Sequence, residues 1–276
     1  IFDKAEQLDF NTALPQHINA YQAFERDYLG AHAFLYAYKD NKATFNAYRR
    51  EVERLLHWSW QKAQKSIFEL CRVEIESYIK FCQKPPKSWI GLSKPARFIV
   101  KNGLRQPNPD WRPFVATVTK TAARAGEKPN KDSYVISEKA VREIFAVLST
   151  FYNFLIQDEY TQVNPITQIR QKSKFIRKIQ GQKKIRRLSD LQWAFVIETA
   201  TLMAEENNRH ERTLFILSAL YLMYLRVSEL VATDRWSPKM NDFKRDHDGL
   251  WWFTTVGKGN KERQIDSFKA HIEASI

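Results

Sequence analysis

Leu225-Arg226-Val227-Ser228-Glu229-Leu230, followed about thirty residues on by Val256-Gly257-Lys258-Gly259-Asn260-Lys261-Glu262-Arg263, is the stretch on which the reading of this chain turns. Arg226 comes directly after the apolar run Arg212 to Tyr224. Glu229 stands three residues on, where it can lie beside the arginine on the next helical turn. An arginine so near a core is costly unless paired, and a buried Arg–Glu pair holding two helices accounts for this spacing without any chemistry. Lys258 sits in a turn between two glycines. Any exposed hairpin can carry such a lysine, while glycines on both sides let the loop approach another backbone closely.

Outward from these segments, the surrounding pattern predicts an α+β domain. Ser189 with Gln192 makes a capping box that starts a helix over Asp190 to about Glu205. Arg212 to Tyr224 is apolar nearly all round, which predicts a buried core helix. Leu250 to Val256 is aromatic and β-branched, Gly257 to Asn260 supplies turn chemistry, and Glu262 to Ile265 returns as a second strand.

Towards the N-terminus the pattern is helical. Phe45, Tyr48, Val52, Leu55 and Leu56 recur at three- and four-residue steps, a second helix is expected over Glu69 to Cys82, and Ser137 caps a third. The stripe of that third helix is Val141, Ile144, Phe145, Leu148, Phe151, Tyr152 and Leu155. Seven of the ten prolines (Pro85, Pro86, Pro95, Pro107, Pro109, Pro113, Pro129) crowd the stretch between, which must therefore be loop-rich. Trp89 and Trp111 lie there beside Lys and Arg, where they could reach DNA; pinning a long loop to the domain is the commoner use of such aromatics. Between Arg170 and Arg187 stand nine basic residues and no acidic one, a composition that resists compaction and reads as a linker. The expected plan is thus a short N-terminal arm or helix (1–40) and a mainly α domain (41–169) with a proline-rich insertion at about 83–136. A basic linker (170–187) and an α+β domain (188–276), mostly helical with a β-hairpin, complete it.

Composition bounds the partners. The 276 residues carry 44 Lys plus Arg against 31 Asp plus Glu, a formal charge of +13, with 43% hydrophobic residues. Such an excess speeds encounter with polyanions, and nucleic acid is the expected one. Two cysteines, Cys71 and Cys82, and six scattered histidines offer no metal-ligand spacing, so no metal is expected and a reducing, cytoplasmic setting is. The longest mainly apolar stretch, Leu214 to Leu225, is far shorter than the ~20 residues a membrane span needs. The chain opens at Ile1 rather than Met, which suggests a fragment.

Together, in this order and at this distance, the two quoted segments resemble the first half of the active site of the tyrosine recombinase (phage integrase) family. There the first catalytic arginine stands in a Leu-Arg-x-Ser-Glu-Leu context at the end of a buried helix, and a β-hairpin Gly-Lys-Gly lysine comes after it. The resemblance covers Thr44 to Cys82 and Ser137 to about Ile265, but not the proline-rich segment. It implies a core-binding domain followed by part of a catalytic domain, in a site-specific DNA recombinase or integrase of a bacterium, phage or mobile element. It implies catalytic roles for Arg226 and Lys258, support from Glu229, and a looser structural match at Asp234. DNA recombination in this family proceeds through a 3′-phosphotyrosine, with no cofactor, on double-stranded DNA held in a clamp. Its members act as homo-oligomers, tetramers on two DNA sites. Weaker candidates for DNA contact, from charge and placement, are Arg49, Arg50, Lys174, Arg177, Lys178, Lys183, Lys184 and Arg186.

Three departures stand out. The position two before the arginine, commonly glycine in the family, is Tyr224. His271 is followed three residues later by Ala274, so it makes no His-x-x-Arg motif. No tyrosine occurs after Tyr224, so the expected nucleophile is missing from this chain. A chain truncated before these groups, binding DNA without cutting it, is one reading. A non-catalytic DNA-binding protein derived from the same fold is the other.

Overall fold

The stripe beginning at Phe45 lies on a helix, α2 (Lys42–Trp58), because Asn41 caps it by accepting from the Thr44 backbone N–H at 3.2 Å. Phe45, Val52, Leu55 and Leu56 are fully buried there. The structure, a computed structural model, describes residues 1–8, 21, 23–169, 175, 187–233, 236–257 and 261–267. Its secondary structure is mostly helical with small sheets. The chain divides into two units, Ile1–Gln180 and Gly181–Ile276.

In the first unit α1 (Glu25–Ala37) and α5 (Glu138–Gln157) pack with α2, and α3 (Arg72–Gln83) comes next after α2 in the chain. All seven residues of the α5 stripe are buried, and Ser137 accepts from the Ala140 N–H at 3.2 Å. The described residues between 1 and 40 behave differently from an arm. Phe2, Leu8, Tyr28, Ala31, Phe34 and Leu35 all enter the core. Asp27, buried on α1, accepts from Trp60 Nε1 at 2.9 Å, the Ile67 N–H at 2.9 Å and Ser66 Oγ at 2.5 Å, which ties α1 to the turns after α2. Burial raises its carboxyl pKa despite those donors.

The proline-rich stretch is more ordered than a loop. β1 (Ile90–Gly91) and β4 (Phe114–Val115) pair in parallel and close the base of an excursion. Inside it β2 (Phe98–Lys101) and β3 (Leu104–Pro107) form an antiparallel ribbon, and α4 (Lys120–Arg124) comes after. Trp89 meets Phe81 edge-on at 4.9 Å, and Trp111 packs on His57 at 5.6 Å. Both tryptophans therefore anchor the excursion to the helices.

The second unit holds α6 (Asp190–Glu206), α7 (Glu211–Leu222), α8 (Val227–Leu230) and a sheet of order β5-β6-β7. Its strands are Phe243–Arg245, Trp251–Val256 and Glu262–Ser267, all antiparallel. The capping box at the start of α6 is present, with Gln192 N donating to Ser189 Oγ at 3.2 Å and Ser189 N to Gln192 Oε1 at 3.0 Å. The expectation of a buried core helix at 212–224 is corrected: on α7 only Ala219 is buried. The reason is the small set of partners among the described residues, where α6 covers one side, Trp193 stacking on Tyr221 at 3.9 Å, and Phe215 and Leu220 reach the Met223, Leu225 and Phe253 cluster. No helix of the described residues is long and apolar enough to cross a membrane, and no group of three or more metal-ligating side chains occurs among them.

Candidate active site around Glu229

The segment that joins α7 to α8 places the arginine. After Leu222 the backbone passes through Tyr224 at φ +49, the left-handed conformation in which helices end and glycine is favoured. Tyr224 is 84% exposed, so the bulky side chain finds room by pointing away from the unit while the backbone takes the strain. Leu225 then returns to the core, and Arg226 becomes the cap residue of α8.

Glu229 organises the surroundings of that arginine. Its carboxylate is fully buried. Oε2 accepts from the Arg226 backbone N–H at 2.7 Å and from Arg263 Nη2 at 2.6 Å, and Oε1 accepts from Arg226 Nη1 at 3.0 Å. The Glu229 carbonyl also accepts from the buried Thr255 hydroxyl at 3.2 Å and from Trp236 Nε1 at 3.4 Å. Thr255 and Arg263 face each other across β6 and β7, so one glutamate fastens α8 to the hairpin from two sides. Burial alone raises the Glu229 pKa, but the backbone N–H of Arg226 and the two guanidiniums outweigh it and hold the carboxyl below its ordinary value.

Gly257 shows how close the turn comes. A Cβ built there stands 3.0 Å from Glu229 Oε1 and 3.9 Å from Arg226 Nη1, while the Gly257 N–H donates to Lys261 O at 2.8 Å to close the turn. Gly257 is therefore small because the Glu229 carboxylate abuts it. The Arg226 guanidinium is 63% exposed, and its bond to Glu229 engages Nη1, leaving Nε and Nη2 without partners among the described residues. Arg263 is 39% exposed. Two guanidiniums share one carboxylate, which leaves a net positive charge with an open planar fork, the arrangement suited to an oxyanion.

The remaining candidates are distributed differently. Lys258, Asp234, Lys174, Arg177, Lys178, Lys183, Lys184 and Arg186 lie outside the described residues. Arg49 is buried rather than facing solvent: it donates to the Asp3 carbonyl and, at 2.7 Å, to Asn46 Oδ1, and its guanidinium stacks over Phe45. A guanidinium so engaged is closed to a phosphate. Arg50 is half-buried and paired with Glu51 at 2.5 Å and Glu143 at 3.2 Å. Arg263 stands in the hairpin segment, where sequence reasoning gave it no role. The signal that could have found it is the strand alternation that puts it opposite Thr255, on the face turned to α8.

No family model matches this chain, and no curated protein matches its sequence. Among solved structures it is similar to one described as the crystal structure of XerH site-specific recombinase bound to difH substrate, a pre-cleavage complex. The TM-score is 0.42 and the sequence identity 13%. The match covers 99% of this chain and 62% of that one, so this chain spans less than two thirds of that protein's length.

Proposed function

We propose that this chain is the DNA-gripping and first catalytic part of a tyrosine-type site-specific recombinase, an integrase-like DNA strand transferase. The observation that carries the reading is the buried Glu229 carboxylate, which holds the exposed Arg226 guanidinium beside Gly257, the residue before Lys258. In the proposed reaction a tyrosine oxygen attacks the scissile phosphorus, the bond to the 5′-oxygen breaks, and a 3′-phosphotyrosyl link retains the bond energy. Arg226 donates N–H groups of its guanidinium fork to the nonbridging oxygens as charge grows on them, an effect worth ~10²–10³ in rate. Lys258 gives a proton to the departing 5′-oxygen, worth ~10²–10⁴. Arg263 acts through Glu229 as a positioning residue.

The tyrosine that attacks is not found after Tyr224, so this chain is proposed to bind duplex DNA without cutting it. A second reading is a DNA-binding protein of recombinase descent that lacks the chemistry. The test has two arms. Arg226→Ala lowers the affinity of this chain for duplex DNA about tenfold, the loss of a charge-assisted hydrogen-bond donor. In a longer form bearing a downstream tyrosine, the same substitution abolishes the covalent complex with a nicked suicide substrate. Unchanged binding and unchanged covalent capture would remove Arg226 from the site. A longer form that binds but never captures DNA supports the second reading.

A further inference from the structure

Between residues 84 and 124 the chain carries nine Lys or Arg and a single acidic residue, Asp110. The proposed chemistry uses none of them. Within this stretch the β2–β3 ribbon stands apart from the core. Ile99 is 36% exposed, Val100 67% and Leu104 65%, and every residue of β3 is exposed. An isolated two-stranded ribbon is marginal in water unless something roots it. The root is well built here. Arg97 pairs with the buried Glu53 at 2.7 Å and lies over Trp111, Asn108 Nδ2 donates to Ala96 O at 2.8 Å, and Arg105 pairs with Asp3. The tip turns through Asn102 at φ +53 and Gly103 at φ +74, the two left-handed residues that a tight hairpin turn of matching twist demands.

The register sorts the ribbon into two faces. Phe98, Val100, Arg105 and Pro107 share one, and it is the Arg105 face that is tied to Asp3. Ile99, Lys101, Leu104 and Gln106 share the other. That second face holds a cation, an amide and two apolar side chains, with no acidic residue. These are the groups that read base edges: an ammonium suits guanine N7 and O6, a glutamine amide suits adenine, and an aliphatic chain suits a thymine methyl. A two-stranded ribbon also fits the width of a major groove, and four-residue strands reach about 13 Å from their root, enough for a groove ~8.5 Å deep.

We infer that the β2–β3 ribbon is a DNA-contacting element that inserts its Ile99–Lys101–Leu104–Gln106 face into the major groove of a bound duplex, with Lys94 at its root on a phosphate. This rests on the reading of the chain as a DNA-binding protein and adds to it a contact surface in the first unit. The basic excess of the stretch selects a polyanion over a protein partner, and the uncharged members of the face select a groove over a bare phosphate backbone.

The test uses the whole chain and a mixed-sequence 40-base-pair duplex, with binding followed by fluorescence anisotropy across a salt series and by hydroxyl-radical footprinting. Lys94→Glu/Lys101→Glu is expected to weaken binding at least tenfold and to lower the salt slope by about one, roughly 0.9 for the one lost phosphate contact at Lys94. Leu104→Ser/Gln106→Ser is expected to leave the salt slope unchanged while removing one protected groove segment from the footprint. All four side chains are exposed, so the melting temperature stays within a degree or two of the parent and reports that the fold is intact. Variants that match the parent in affinity, slope and footprint overturn the ribbon assignment and leave the DNA-binding reading standing. A parent chain that binds no duplex overturns both. If the charge reversal instead abolishes binding to vesicles with anionic headgroups and spares the duplex, the surface belongs to a lipid and the inference is wrong.

Discussion

The two units of this chain are held together by different physics. The first buries a continuous aromatic core, in which Phe34 alone meets Tyr38, Tyr48, Phe151 and Phe154 at 5.1–5.4 Å. The second gathers four buried apolar residues in its cluster among those described, Ala219, Met223, Leu225 and Phe253. It leaves Leu191, Phe195 and Leu202 on α6 largely exposed. Its order near the site comes from the polar junction at Glu229, where five hydrogen bonds converge on one residue's side chain and carbonyl. A core of packed rings tolerates surface change and punishes cavities. A junction of charges is sensitive to the loss of one group and to pH.

The strongest way to break this contrast is a matched pair of truncations. Phe151→Ala, at a fully buried position, is expected to cost about 3–5 kcal/mol in the first unit. Phe195→Ala, at a side chain 68% exposed, is expected to change the second by less than about 0.5 kcal/mol. Denaturant titration of each variant compares them directly. Equal losses would mean that the second unit has a core comparable to the first.

A smaller effect is expected at the junction. Glu229→Gln removes a buried charge shared by two guanidiniums and should destabilise the second unit by about 1.5–3 kcal/mol. It should also lower duplex affinity, since Arg226 is no longer held. The pH dependence sharpens the point. Glu229 titrates below its ordinary value, so the stability it contributes is present above pH 4.5 and is lost as the pH falls through its lower folded value. In the first unit burial above all pushes the His57 imidazole from 6.5 down to about 4. The unfolded chain therefore takes up that proton first, and the stability linked to His57 falls as the pH drops from 6.5 towards 4. Unfolding followed against pH should show the first unit weakening before the second, and the reverse order would contradict the assignment of these two groups.

The smallest effect has the opposite sign. Tyr224→Gly relieves a left-handed backbone at a side chain that is 84% exposed, and should stabilise the second unit by about 1 kcal/mol. A neutral or negative result would show that the tyrosine ring makes a contact worth more than the strain.

Much of this is legible in the sequence. Helical stripes at Phe45 and Val141, the Ser189 capping box and the hairpin at 251–267 arise from local period and local hydrogen bonding, which neighbouring residues decide. The β2–β3 ribbon is only half legible: Asn102-Gly103 is a hairpin turn signal, but the seven prolines of that stretch point to loop. The place of Arg49 is not legible for another reason. Its charge reads as surface, and only the fold brings Asp3 and Asn46 to it.

By itself the amino-acid sequence determined the helices at Phe45, Val141 and Ser189 and the pairing of the last two strands, and it put Arg226 and Glu229 within one helical turn of each other. Tertiary structure alone decided that Glu229 also reaches Arg263 and abuts Gly257, that α7 is half-covered, and that Arg49 is closed to solvent. The physical reason is range. Backbone hydrogen bonding and side-chain period act over a few residues, whereas burial and charge pairing depend on groups far apart in the chain being carried to the same place.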